Sequence, residues 1–263
     1  MGRNDLCFCM SGKKKKNCHP DIHEESQAAA KLKIYSQLEY DLKTNRQAAN
    51  GTSLCVPGCS DCCYDYFTVQ GIEFDLILNE LAKWDGDKLN NLIKRVDKYW
   101  TMFEKENKEA TRLLVYGTDN DIEKINSSID KTSFPCAFFD VTTQLCQIYE
   151  VRPFKCRIFG NTFYYPDPKE GAVGIACTMY GSILNDDNFD KILCDVTELL
   201  NKNTDLSLIL DDKQNVVALN SEYPLIYHLY QHFIVKKLGV SIVNFDEKFT
   251  EPKSILKQKF NRL

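Results

Sequence analysis

Four of the 12 cysteines in this 263-residue chain fall within nine positions, Cys55-Val-Pro-Gly-Cys59-Ser-Asp-Cys62-Cys63. Pro57 and Gly58 punctuate the stretch, which suits neither a buried strand nor a helix. Thiolates this crowded repel one another unless a cation binds them or they pair as disulfides. A metal loop is the economical reading. Cys62 and Cys63 are adjacent and point in different directions, so both ligate only by bridging or by serving two centres. Downstream lie Cys136, Cys146, Cys156 and Cys177, spaced 10, 10 and 21 residues apart. That spacing lacks the tight pairs of a self-contained zinc ribbon, so the two groups are expected to form one joint core. Eight thiolates fit two four-sulfur sites, whether zinc or an iron–sulfur cluster. Arg152 and Arg157 flank Cys156, where they offset thiolate charge and donate to sulfur, or else pair with surface carboxylates. Tyr149 is either a sulfur hydrogen-bond donor or a core tyrosine.

A second donor set opens the chain. Cys7 and Cys9 are followed, after eight intervening residues, by Cys18 and His19, which together offer three sulfurs and one imidazole to a tetrahedral zinc. Gly12 allows the turn that brings them together. So short a segment has no core, and metal binding is its folding energy. These residues closely resemble the SEC-C motif found in the tail of the SecA translocation ATPase, although that motif usually carries Pro at the places of Leu6 and Phe8 and Gly at Met10. The resemblance implies docking onto a protein partner or a ribosome through residues 1–19. Lys13 to Lys16 are then a docking surface or simply a solvated charge run.

The main-body pattern, Cys-x3-Cys-x2-Cys-Cys followed by Cys146-x-Ile148-Tyr149-x-x-Arg152-Pro153-x-x-Cys156-Arg157-x-Phe159, resembles the YkgJ-type cysteine-cluster family. Cys136 and Cys177 complete the match, which covers about residues 55–180. That family is described as zinc- or iron-chelating, and flagellin lysine N-methylases are similar to it. The resemblance implies a metal-binding protein, with an iron–sulfur-dependent protein lysine N-methylase using S-adenosylmethionine as the alternative.

Composition bounds the remainder. Hydrophobic residues make up 43% and charged residues 27%, with a net charge of −4, as in ordinary globular proteins. That balance argues against sequence-specific nucleic-acid binding by the whole surface. No apolar run reaches the roughly 18 residues of a bilayer span, and the first residues lack the apolar stretch of a secretory signal. The expected location is cytoplasmic, where thiols stay reduced, whereas a disulfide scaffold usually requires export. No phosphate loop, dinucleotide fingerprint, internal repeat or nucleophile–base pair stands out.

The elements that must position these residues read as an α-rich α+β protein. A small zinc knuckle (1–20) leads to a linker helix (21–54), marked by Leu32, Tyr35, Leu38 and Leu42 and stopped at Asn50-Gly51. The cysteine domain (55–180) carries a helical insertion at about 71–131. Ile72, Leu76, Leu81 and Trp84 mark one helix. Leu89, Leu92, Ile93, Val96, Trp100 and Phe103 mark the next, and Ile122, Ile125 and Ile129 a weaker third. Short strands are expected over 136–139 and 144–149. In the C-terminal extension (181–263), Phe189, Ile192, Leu193, Val196 and Leu200 mark a helix carrying Cys194 as a buried thiol. Residues 206–210 and 216–219 read as a hairpin. Ser221 caps a helix to about Leu238 with Pro224 in its first turn. His228 and His232 lie four apart on it, but Leu229 stands where a zinc protease carries its glutamate, which favours an ordinary packing role. Residues 253–263 form a basic tail.

Overall fold

The computed structural model describes residues 2–48, 58–126, 128–129, 131–159, 162–167, 171–176, 193–206, 208–210, 216–219 and 222–237. Cys55, Cys177, the stop at Asn50-Gly51, Phe189, Ile192, Ser221 and the 253–263 tail lie outside them. The helices in chain order are α1 (Gln27–Ala48), α2 (Gly71–Leu81), α3 (Gly86–Glu106), α4 (Lys108–Tyr116), α5 (Asp119–Asn126), α6 (Phe154–Ile158), α7 (Thr197–Asp205) and α8 (Leu225–Tyr230). The strands are short: β1 (Thr68–Val69), β2 (Phe139–Asp140), β3 (Leu145–Cys146), β4 (Thr162–Asp167), β5 (Gly171–Ala176), β6 (Cys194–Asp195), β7 (Leu208–Leu210), β8 (Val216–Leu219) and β9 (Tyr223–Pro224). The protein is thus helix-rich with few, short strands. Among the described residues, no helix is long and apolar enough to cross a membrane.

Two compact units share the chain, each assembled from separated stretches. The first draws its described residues from Met1–Val56 and Cys156–Leu219. Its spine is α1, started by Ser26, whose hydroxyl accepts the Ala29 amide at 3.1 Å. Leu32, Tyr35, Leu38 and Leu42 are all buried along one face, as their spacing predicts. Helix α7 packs on α1, and the buried Lys31 ammonium donates to the Asn203 side-chain carbonyl between them. Strand β4 pairs antiparallel with β5 and parallel with β6, Phe163 lying opposite Cys194. Cys194 is buried, as expected, but in a strand and not in a helix. The helix begins only at Thr197, after Val196. The apolar spacing from Leu193 onward belongs to a strand passing into a helix, and periodicity alone does not mark that switch. Hairpin β7–β8 is antiparallel, as expected.

The second unit draws its described residues from Pro57–Lys155 and Asn220–Asn244. Asp85 caps α3 by accepting the Lys88 amide at 2.8 Å, at the Asp85-Gly86 break expected from sequence. Leu92, Val96, Trp100 and Phe103 form its buried stripe, against which α8 packs. Trp100 stacks on Tyr230 with centroids 4.3 Å apart. The insertion also contains α4, a helix the apolar pattern does not reveal. Asn107 breaks the run at φ −126°, so α4 follows α3 after a single residue. Pro224 sits in β9, paired with Thr68, and α8 starts after it; the expected place of Pro224 inside the helix is corrected. Its lack of an N–H suits it to a two-residue pair at a helix entrance.

Glu73 carries much of this unit's local order. It is buried, and its two carboxylate oxygens accept the Gln70 amide at 2.9 Å and the Phe154 amide at 2.8 Å. One contact starts α2 in the manner of a capping box, and the other pins the entrance of α6. Glu73→Ala strands two buried N–H donors and is expected to cost about 2–4 kcal/mol in urea unfolding. A loss below about 0.5 kcal/mol would show that water replaces the carboxylate.

Candidate metal centres

Short-range backbone bonds shape the N-terminal segment. Leu6 and Lys14 form an isolated antiparallel bridge, and the Cys7 amide donates to the Lys13 carbonyl at 2.8 Å. Met10 (φ 60°) and Gly12 (φ 74°) take left-handed conformations that fold the strand back. The turn Lys15–Asn17 then delivers Cys18 and His19, whose amides both donate to the Lys15 carbonyl.

The outcome is convergence. One ligand atom from each of Cys7, Cys9, Cys18 and His19 lies within 4.8 Å of every other. Cys9 and Cys18 sulfurs are 3.5 Å apart, and Cys7 sulfur is 3.4 Å from His19 Nδ1. Tetrahedral zinc with bonds of about 2.3 Å to sulfur and about 2.0 Å to nitrogen needs edges of roughly 3.5–3.8 Å, close to these two distances. Cys7 and Cys9 are buried, and Phe8 stacks on the His19 ring at 5.5 Å. Burial pushes the Cys7 thiol up to about 12. Cys9 is also raised by burial, but hydrogen bonds from His19 and Ser11 outweigh that and bring it down to about 6. The Ser11 hydroxyl, 3.2 Å from Cys9 sulfur and 3.3 Å from Cys18 sulfur, is a participant the sequence reading missed. Among the described residues this is the one group of three or more donors that converges so tightly.

The main-body cysteines are grouped more loosely. Cys59, Cys62, Cys63, Cys136 and Cys146 belong to the second unit, whereas Cys156 belongs to the first. A turn over Asp61–Cys63 presents Cys62 and Cys63. Gly58 (φ 96°) enters it beside the Gln144 side chain, where a Cβ would stand 3.5 Å from Oε1. The Cys136 amide donates to the Cys63 carbonyl at 2.7 Å, and Thr132 to Tyr64 at 2.8 Å. These bonds bring the upstream and downstream cysteines together. On the downstream side, β2 and β3 pair Phe139 with Cys146, the short hairpin expected there.

Electrostatics record the crowding. Cys62 is raised by its hydrogen bond with Cys63 and by burial, and the Arg152 charge opposes this. Cys136 is pushed up to about 12 by desolvation, with Cys146 and Cys62 adding repulsion and Arg95 countering it. Cys62 and Cys136 therefore share one region that favours the neutral thiol. Arg152 also lies over the Tyr149 ring at 3.9 Å, and Tyr149 is exposed, not a core residue. Arg157 is buried in the first unit, paired with Glu39 and set 4.1 Å over Tyr35. A small open depression lies beside Cys63 and Cys136, faced by Tyr66, Phe134, Leu225 and Leu229. His228 packs as expected of an ordinary residue, donating to the Val69 carbonyl at 3.1 Å and stacking on Phe74 at 4.8 Å. His232 meets the same ring edge-on.

A left-handed Met10 costs about 1–2 kcal/mol that glycine avoids in large part. Met10→Gly is expected to tighten metal retention by the N-terminal group about fivefold, read by chelator competition on the full chain. Equal or weaker retention would show that the turn carries no strain.

Residues 54–179 match the CxxCxxCC family model, whose description is "Putative zinc- or iron-chelating domain". No curated protein and no solved structure matches the chain. All eight main-body cysteines fall within the matched stretch. The match and the N-terminal Cys/His cluster independently support metal binding by a cysteine-cluster domain in this chain.

Proposed function

We propose that the protein binds metal at two thiolate centres of different kinds. The first is a SEC-C-type zinc site made by Cys7, Cys9, Cys18 and His19. The observation that carries this reading is the convergence of their four donor atoms within 4.8 Å. The second is a zinc or iron–sulfur core drawn from Cys55, Cys59, Cys62, Cys63, Cys136, Cys146, Cys156 and Cys177, with Tyr149, Arg152 and Arg157 around it. The family match supports the metal, and the repulsion among Cys62, Cys63, Cys136 and Cys146 supplies the physical need for one.

The N-terminal unit is proposed as a docking element for a protein partner or a ribosome. Leu6 and Met10 are exposed beside the lysines at 13, 14 and 16. An apolar tip ringed by cations suits an acidic partner surface. A second reading, an iron–sulfur-dependent protein lysine N-methylase using S-adenosylmethionine, draws support from the open depression beside Cys63 and Cys136, since a catalytic metal needs an open face.

Full-length protein purified anaerobically is expected to carry zinc that Cys18→Ser removes, while the metal of the main core stays. Metal and acid-labile sulfide analysis separates the options for that core, because an iron–sulfur centre is brown and releases sulfide whereas zinc is colourless. Protein that takes up neither zinc nor iron would overturn the reading, and colourless, sulfide-free protein from iron-supplemented cells would overturn the methylase alternative.

A further inference from the structure

Arg95 lies on α3, within the helical insertion and far from any cysteine in sequence. The same helix face carries Tyr99, whose ring stacks on Phe134 at 5.2 Å. Arg95 Nε donates to the Ala137 carbonyl at 2.9 Å, and Nη2 to Gln147 Oε1 at 2.8 Å. Ala137 directly follows Cys136, and Gln147 directly follows Cys146. One guanidinium therefore grips both limbs that carry the downstream thiols.

The strand pairing between those limbs is short. The β2–β3 ladder comprises only the pairs Phe139–Cys146 and Asp140–Leu145. The Gln147 amide adds a bond to the Phe138 carbonyl at 2.9 Å, and the Phe139 amide donates back to Cys136 at 2.9 Å. A two-residue hairpin is marginal by itself. A rigid planar fork that satisfies one acceptor on each limb holds their separation in a way a flexible ammonium does not.

We propose that Arg95 is the positioning residue of the main metal centre, holding Cys136 and Cys146 together as a ligand pair. The proposal rests on the reading that these cysteines bind metal. It assigns the insertion helix a task at the centre beyond packing.

The test uses the full chain with the N-terminal group silenced by Cys9→Ser and Cys18→Ser, so that only the main centre reports. Anaerobic titration with cobalt(II) reads affinity and, through the thiolate-to-metal absorbance, the number of sulfurs bound. Arg95→Met keeps the apolar stem and is expected to weaken cobalt binding about 10- to 100-fold, with absorbance per cobalt falling to that of Cys146→Ser. Arg95→Lys restores the charge without the fork and should recover only part of both. Gln147→Leu releases one arm with the charge intact and should give an intermediate loss, which keeps the test open if Arg95→Met does not fold. Thermal unfolding of the metal-free variants should match the metal-free parent. Unchanged affinity and absorbance in Arg95→Met overturn the proposal, as does an affinity loss fully matched by lost metal-free stability. A parent that takes up no cobalt instead overturns the metal reading itself, and the role of Arg95 falls with it.

Discussion

A backbone hydrogen bond from the Cys136 amide to the Cys63 carbonyl, 2.7 Å long, joins two cysteine stretches that stand 73 positions apart. Thr132 to Tyr64 and the bridge between Asp65 and Lys131 extend this closure into a short zipper at the base of the insertion. Closing so long a loop costs conformational entropy, although the cost rises only slowly with length. Here the intervening chain is folded into α2 to α5, so much of that entropy is already surrendered to helices that bury their own apolar faces. The insertion is therefore part of what makes the cysteine cluster possible.

Bringing thiols together carries an electrostatic cost. In the second unit, Cys62 is raised by Cys63 and by burial, and Cys136 by desolvation, so the neutral forms prevail without metal. The N-terminal group answers differently. There His19 and Ser11 draw Cys9 down to about 6 while burial holds Cys7 up near 12. The donors stand close, with the Cys9 and Cys18 sulfurs 3.5 Å apart and the Cys7 sulfur 3.4 Å from His19 Nδ1. The N-terminal donors converge within 4.8 Å of one another, whereas among the described residues the main-body thiols form no such group.

How much of this could be read from sequence follows the distance over which each feature is determined. The N-terminal donors were legible because Cys7 to His19 spans 13 residues, and local turns alone bring them together. Helices α1 and α3 were legible from buried stripes at Leu32, Tyr35, Leu38 and Leu42, and at Leu92, Val96, Trp100 and Phe103. Helix α4 was missed because its boundary is one residue, Asn107, with no Gly or Pro to mark it. Cys194 and Pro224 were misassigned because their strand partners, Phe163 and Thr68, lie far away in the chain. Arg95 left a faint signal, a cation among Leu92, Val96 and Tyr99 at helical spacing. Only the structure reveals that its fork lands on both cysteine limbs.

The central claim is that metal, and not thiol packing, completes both cysteine regions. Amide hydrogen exchange on the full chain, with and without chelator under anaerobic reducing conditions, tests it most directly. The account predicts that the amides of Cys7, Met10, Thr132 and Cys136 are protected with metal and lose at least about tenfold in protection on its removal, while those in the middle of α3 change little. Equal protection of all these amides in the two forms would contradict it.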